Sequence, residues 1–136
     1  NLKNKHSVSP VHSIEEIEKL KKIFNDNIRQ FNVYKDGNIV AGSTIFQTKN
    51  VVHVQYISSN NEKNKLGSLD FLFHNLINET FSKFKFFDFG TSNEESGRKI
   101  NSGLIYWKEG FGARSVTQNF YEFNTNNFNS LDDILI

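Results

Sequence analysis

The side chains of this 136-residue chain best suited to moving protons are a tyrosine, a histidine and three carboxylates. Tyr106 stands one turn before a helix that ends at Gly110-Phe111-Gly112. A phenol presented there, beside a sheet, is placed for acid chemistry. His53 lies within Val51-Val52-His53-Val54-Gln55-Tyr56-Ile57-Ser58, a strand pattern. An imidazole can take a proton directly or through water. Asp88 ends a short aromatic run, at the kind of strand end where α/β sheets carry their sites. Glu94 and Glu95 follow in the next loop and can hold a cation or act as base. Each has a plainer alternative. The tyrosine can pack its ring, the histidine can be a satisfied packing residue between valines, Asp88 can cap a turn, and loop carboxylates can be merely solvated.

The elements that position these groups are legible from spacing. Ser13 and Glu16 form a capping box for a first helix, whose face is Ile14, Ile17, Leu20, Ile23 and Phe24. Three strands follow. Phe31 to Lys35 turns through Asp36-Gly37 into Asn38 to Gln47, with Ala41-Gly42 a point of close approach or a bulge. Val51 to Ser58 is the third. A strict period of two places His53, Gln55 and Ile57 on one face and Val52, Val54 and Tyr56 on the other. After a polar loop, a long helix is expected over about Leu66 to Lys83. Phe84 to Phe89 is then a short strand, parallel to the third and joined to it by a right-handed crossover. Thr91 to Arg98 reads as a loop, Asn101 to Glu109 as a helix, and Arg114 to Phe123 as one or two final strands. The fold class expected is α/β (α+β) with a mixed sheet, an antiparallel meander feeding a β-α-β unit. Residues 1–12 are a lead-in, 13–123 a single domain and 124–136 a tail whose Leu131, Ile134 and Leu135 suit an edge or a contact.

Composition narrows the classes. Hydrophobic residues make up 37% and charged residues 23%, an ordinary globular balance. Fourteen phenylalanines place much of the core volume in rings. The net charge is +1 and no long basic run exists, so a duplex-wide nucleic-acid footprint is excluded. There is no cysteine, which removes disulfides, thiolate metal sites and a cysteine nucleophile. The four histidines show no paired ligand spacing, and no metal is expected. No apolar run approaches the ~20 residues of a membrane helix, and no signal segment opens the chain, so a cytoplasmic protein without membrane insertion is expected. The absence of methionine implies a processed protein or an excised domain. Abundant Asn, Lys, Ile and Phe suggest an AT-rich, bacterial coding sequence. Asp88-Phe89-Gly90 spells a kinase metal triplet, but nothing else of a kinase accompanies it.

Four pieces carry a family resemblance: Tyr56-Ile57-Ser58, Leu66-Gly67-Ser68, Phe87-Asp88-Phe89-Gly90 and Lys108-Glu109-Gly110-Phe111-Gly112. With Tyr106-x-x-x-Gly110-Phe111 and the order of elements, residues 31–123 resemble the GNAT superfamily of N-acyltransferases, FemABX-like branch. The resemblance implies splayed parallel strands and a slot for acetyl-CoA or another acyl-CoA as donor. It implies a small-molecule primary amine as acceptor, such as an amino sugar or envelope precursor. By that resemblance Tyr106 protonates the leaving thiolate, and His53 or Glu94 assists deprotonation. Gln55 and the strand around Tyr56 and Ile57 hold the acyl group. Lys63, Lys65, Gly67 and Ser68 meet phosphate, and Asp88, Asn101 and Lys108 meet the acceptor. The family's phosphate loop often reads Q/R-x-x-G-x-G/A, whereas this chain has Asn64-Lys65-Leu66-Gly67-Ser68-Leu69. That departure keeps an aminoacyl-tRNA donor open, and the apolar tail allows a third alternative, a non-catalytic GNAT-like half that builds an interface with a second domain or a second copy.

Overall fold

Ser13 opens the first helix, α1 (Ile14–Ile23), by the expected reciprocal cap. Its hydroxyl accepts from the Glu16 N–H at 3.2 Å, and the Glu16 carboxylate accepts from the Ser13 N–H at 2.7 Å. The computed structural model describes residues 10–122 and 124–126, and the Lys63 side chain lies outside that description.

Three antiparallel strands follow: β1 (Ile28–Lys35), β2 (Asn38–Gln47) and β3 (Val51–Ser59). The turn between β1 and β2 has positive φ at both Asp36 and Gly37, the conformation that Asp-Gly favours in a tight hairpin. Gly42 is the expected close approach. A methyl there would lie 2.8 Å from Asn32 Oδ1 and 3.2 Å from the Phe31 carbonyl oxygen.

The expected single helix over 66–83 is instead three pieces. A short helix α2 (Lys63–Leu66) meets α3 (Ser68–Asn75) at Gly67, whose φ of 56° interrupts the helical path. A π-helical turn, Leu76–Thr80, then closes with the Phe81 N–H donating to the Leu76 carbonyl at 2.9 Å. The wider turn lets Leu76 and Phe81, five residues apart, both enter the core. Periodicity alone could not signal that change of pitch.

The strand β4 (Phe86–Asp88) lies parallel to β3, as the intervening helix requires. The sheet order is β1-β2-β3-β4. The segment read as a plain loop carries a small hairpin, β5 (Asn93–Glu94) with β6 (Lys99–Ile100), around a 3-10 turn at Glu95–Gly97. The helix α4 (Ser102–Glu109) follows and is capped by Asn101, whose Oδ1 accepts from the Leu104 N–H at 2.9 Å.

The expected final strands are not formed. Residues 113–122 carry no helix or strand, and Val116, Phe120 and Tyr121 are exposed. A β-pattern becomes a strand only where a neighbour takes up its N–H and C=O groups, and β4 is only three residues long. Phe123 and the tail residues Leu131, Ile134 and Leu135 lie outside the described residues.

Ile45, Val52, Val54, Leu72, Phe73, Leu76 and Phe81 form the core on one face of the sheet. Phe73 is its hub. Its ring meets Phe89 at 5.4 Å and Trp107 at 5.2 Å between centroids, so aromatic packing locks α3, α4 and the end of β4 together.

Candidate functional site

The ladder between β3 and β4 has three rungs: Val51 with Phe86, Val52 with Phe87 and His53 with Asp88. There it stops. β3 runs on to Ser59, while the chain after Asp88 leaves the sheet, so the two strands fork at His53 and Asp88.

A bulge falls just beyond the fork. Ile45 pairs with Val54 and Thr44 with Tyr56, which leaves Gln55 as the extra residue. The insertion exchanges the faces of β3. Ile57 joins Val52 and Val54 against the core, and Tyr56 comes to the side of His53. The strict period of two is corrected accordingly: Gln55 breaks it, and no local sequence pattern announces a bulge. Tyr56 is fixed on that outer face by His12, whose N–H and Nδ1 lie 3.1 and 2.8 Å from the phenol oxygen.

At the fork, His53 Nδ1 lies 2.7 Å from Asp88 Oδ2. The other oxygen, Oδ1, accepts from the Gly90 N–H at 2.8 Å. Asp88 therefore caps the turn, the plainer reading, and the same carboxylate also holds the histidine. The carboxylate selects the tautomer with its proton on Nδ1 and leaves Nε2 to accept another. Burial pulls the Asp88 pKa upward, but the His53 and Gly90 hydrogen bonds and the charges of His53 and Lys108 outweigh it. The carboxyl ends below its ordinary value. Gly90 has φ 70°, a conformation that suits glycine, and a methyl on it would lie 3.6 Å from His53 Cε1.

Lys108 completes the cluster from α4. It is only 5% exposed, and its Nζ donates to the carbonyl oxygens of Gly90 at 3.0 Å and Thr91 at 2.7 Å. Burial lowers its pKa, and the Asp88 charge opposes part of that fall. The sequence pointed to a substrate contact. The structure turns this ammonium inward onto the backbone.

The other expected residues lie elsewhere. Tyr106 is 81% exposed. On a helix, residues two apart point about 200° from each other, so with Lys108 turned to the fork the phenol projects from the opposite flank. Glu94 accepts from Asn101 Nδ2 at 2.7 Å and lies 3.7 Å from Lys99 Nζ, tying the small hairpin to the start of α4. Lys65 is exposed on α2.

The start of α3 offers a partial fit to a phosphate. Ser68 is 3% exposed and its hydroxyl has no hydrogen-bond partner among the described residues. The helix N-terminus favours an anion. Asp70, however, sets a carboxylate in the same first turn, where it accepts from Trp107 Nε1 at 2.7 Å. Among the described residues no three His, Asp or Glu side chains group as a metal site, and no helix is long and apolar enough to cross a membrane.

Comparisons agree with the fold. A comparison with curated proteins finds no match. Among solved structures, a possible acetyltransferase from Clostridium difficile 630 superposes with a TM-score of 0.61 at 16% identity, covering 90% of this chain and 83% of that one. AAC(6')-Iy, solved with the bisubstrate analogue CoA-S-monomethyl-acetylneamine, gives a TM-score of 0.58 at 16% identity, covering 87% and 85%. The aminoglycoside acetyltransferase meta-AAC0020, from an uncultured soil metagenomic sample and solved with trehalose, gives 0.57 at 15%, covering 90% and 83%. The profile of the acetyltransferase (GNAT) domain matches residues 2–108. The forked parallel pair and the matched profile make this chain a member of the GNAT acetyltransferase domain family.

Proposed function

We propose that this chain is an N-acetyltransferase of the FemABX-like branch, moving an acetyl group from acetyl-CoA, or another acyl-CoA, to a primary amine on a small molecule. The observation that carries the reading is the His53–Asp88 bond on the last rung before β3 and β4 part.

A free alkyl ammonium has a pKa near ~10, so the acceptor must lose a proton before it can attack. His53 Nε2 takes that proton, and Asp88 stabilises the imidazolium. The amine nitrogen then bonds to the thioester carbonyl carbon, the C–S bond breaks, and the thiolate leaves. The resemblance nominates Tyr106 to protonate it. The imidazolium at His53 already holds the proton the thiolate needs, so both transfers are assigned to His53. Backbone N–H groups of β3 beyond Gln55, at Tyr56 and Ile57, are the proposed donors to the oxyanion. Gly67, Ser68 and Lys65 are the proposed phosphate contacts. Amino sugars and envelope precursors are the proposed acceptors, in line with the name aminoglycoside acetyltransferase that meta-AAC0020 and AAC(6')-Iy carry.

One observation favours a second reading. The Asp70 carboxylate competes with a pyrophosphate for the start of α3, which weakens the coenzyme A grip and leaves an aminoacyl-tRNA donor as the alternative. Calorimetric titration with acetyl-CoA decides between them. Micromolar binding, followed by acetyl transfer to a panel of amines, is the expected result. A folded protein that binds no acetyl-CoA overturns the first reading.

A further inference from the structure

The ladder between β3 and β4 ends although both chains continue, and something must take up the carbonyls released from it. Lys108 takes two of them. Its ammonium donates to the consecutive carbonyls of Gly90 and Thr91. The N–H of the same Gly90 donates to Asp88 Oδ1, and Asp88 Oδ2 meets His53 Nδ1. Four groups thus form one chain of contacts from α4 to the imidazole: ammonium, turn, carboxylate, ring.

We propose that Lys108 is a positioning residue, a buried brace that draws the turn after β4 towards α4 and through it holds Asp88 and the His53 imidazole at the fork. The inference rests on the reading of His53 as the proton acceptor.

Three arguments support it. First, the ammonium is committed to the backbone, with 5% of the residue exposed, so it is poorly placed to greet a substrate charge. Second, α4 itself is anchored. Asn101 caps its start, Trp107 binds Asp70, and Trp107 packs on Phe73, so the brace has a fixed end. Third, burying a charge is costly, and an apolar side chain of similar length would avoid that cost but leave two carbonyls unpaired. A single side chain that satisfies both is a way to set the direction of the turn. The arrangement also links two of the sequence words. Asp88-Phe89-Gly90 and Lys108-Glu109-Gly110-Phe111-Gly112 meet at the Lys108–Gly90 contact.

The chain has no cysteine, which makes a specific rescue feasible. Lys108→Cys is prepared, alkylated under denaturing conditions with 2-bromoethylamine and refolded, which restores an ammonium at that site alone. Lys108→Met serves as the near-isosteric loss. Two quantities are read: the ring nitrogen shifts of His53 at alkaline pH, which report its tautomer without any turnover, and kcat separately from KM. In Lys108→Met we expect the Nδ1–H tautomer of His53 to give way to a mixture, and kcat to fall about 100-fold with the KM for the acceptor within about 3-fold, as for a misplaced catalytic group. Aminoethylated Lys108→Cys is expected to recover both, and unmodified Lys108→Cys neither. A wild-type tautomer and kcat in Lys108→Met overturn the proposal. So does a rise in acceptor KM at unchanged kcat, which would make Lys108 a substrate contact. Should Lys108→Met fail to fold, unmodified Lys108→Cys is compared with its aminoethylated form: a mixed tautomer that aminoethylation restores supports the brace, and a wild-type tautomer in the unmodified protein overturns it. If wild type transfers no acetyl group, the functional reading fails while the tautomer measurement still decides the brace.

Discussion

Asp88 holds the His53 imidazole at 2.7 Å on the last rung that β3 and β4 share. One residue earlier the two side chains would stand within a closed ladder, and one residue later β4 has ended. At the fork Nδ1 is engaged, while Nε2 has no hydrogen-bond partner among the described residues. His53→Ala is therefore expected to lower kcat by about 100-fold or more with donor affinity unchanged, the usual range for loss of a general base. Asp88→Asn should also lower kcat, because an amide no longer fixes the tautomer. Steady-state kinetics beside acetyl-CoA titration test both. A His53→Ala enzyme with wild-type kcat removes the imidazole from the chemistry.

The Asp88 carboxyl also makes a signed prediction about stability. Its folded pKa lies below the ordinary carboxylate value. Its contribution is then fully present above the unfolded pKa of about 3.9 and is lost as pH falls through the folded value. Asp88→Asn should therefore be destabilising at neutral pH, with a difference from wild type that shrinks below about pH 4. Urea midpoints of the two proteins across that range measure it. A constant difference would mean that the carboxylate's charge contributes nothing.

Tyr106 gives the opposite expectation. Its phenol is exposed on the flank of α4 away from Lys108. Tyr106→Phe is expected to keep kcat within about 3-fold of wild type, far from the 10²-fold scale of a lost acid. A loss comparable with that of His53→Ala would return the thiolate's proton to the phenol and require α4 to turn.

Much of this arrangement could be read from the chain. The Ser13 cap, the Asp36-Gly37 hairpin, the meander and the parallel return to β4 each depend on local chemistry or on connection rules, which sequence carries directly. His53 and Asp88 were both legible as candidates, but not as partners, since their register is a property of the sheet. The Gln55 bulge was hidden for the same reason, because an extra residue exists only relative to a neighbour. Helix rotation was the other blind spot. Tyr106, Trp107 and Lys108 are consecutive, and which of them faces inward is decided by Trp107 meeting Phe73 and Asp70. Lys108, a charged residue, turned inward, which its residue type alone would argue against. The hairpin at 93–100 had only the Ser96-Gly97 pair to announce it.

Asn101 offers the sharpest separation of a structural role from a binding one. The sequence placed it with the acceptor contacts. In the fold its Oδ1 caps α4 at Leu104 and its Nδ2 reaches Glu94. Loss of such a cap costs about 1 kcal/mol. Asn101→Ala should accordingly lower stability by about that amount, while the KM for the amine stays within about 2-fold of wild type. Asn101→Ser retains a capping oxygen and gives up the contact to Glu94, so it should recover most of the stability if the cap is the larger part. Urea unfolding and acceptor KM for the two variants distinguish the roles. An unchanged midpoint with a raised acceptor KM would place Asn101 in the acceptor site, and would bring Glu94, its hydrogen-bonded partner, with it.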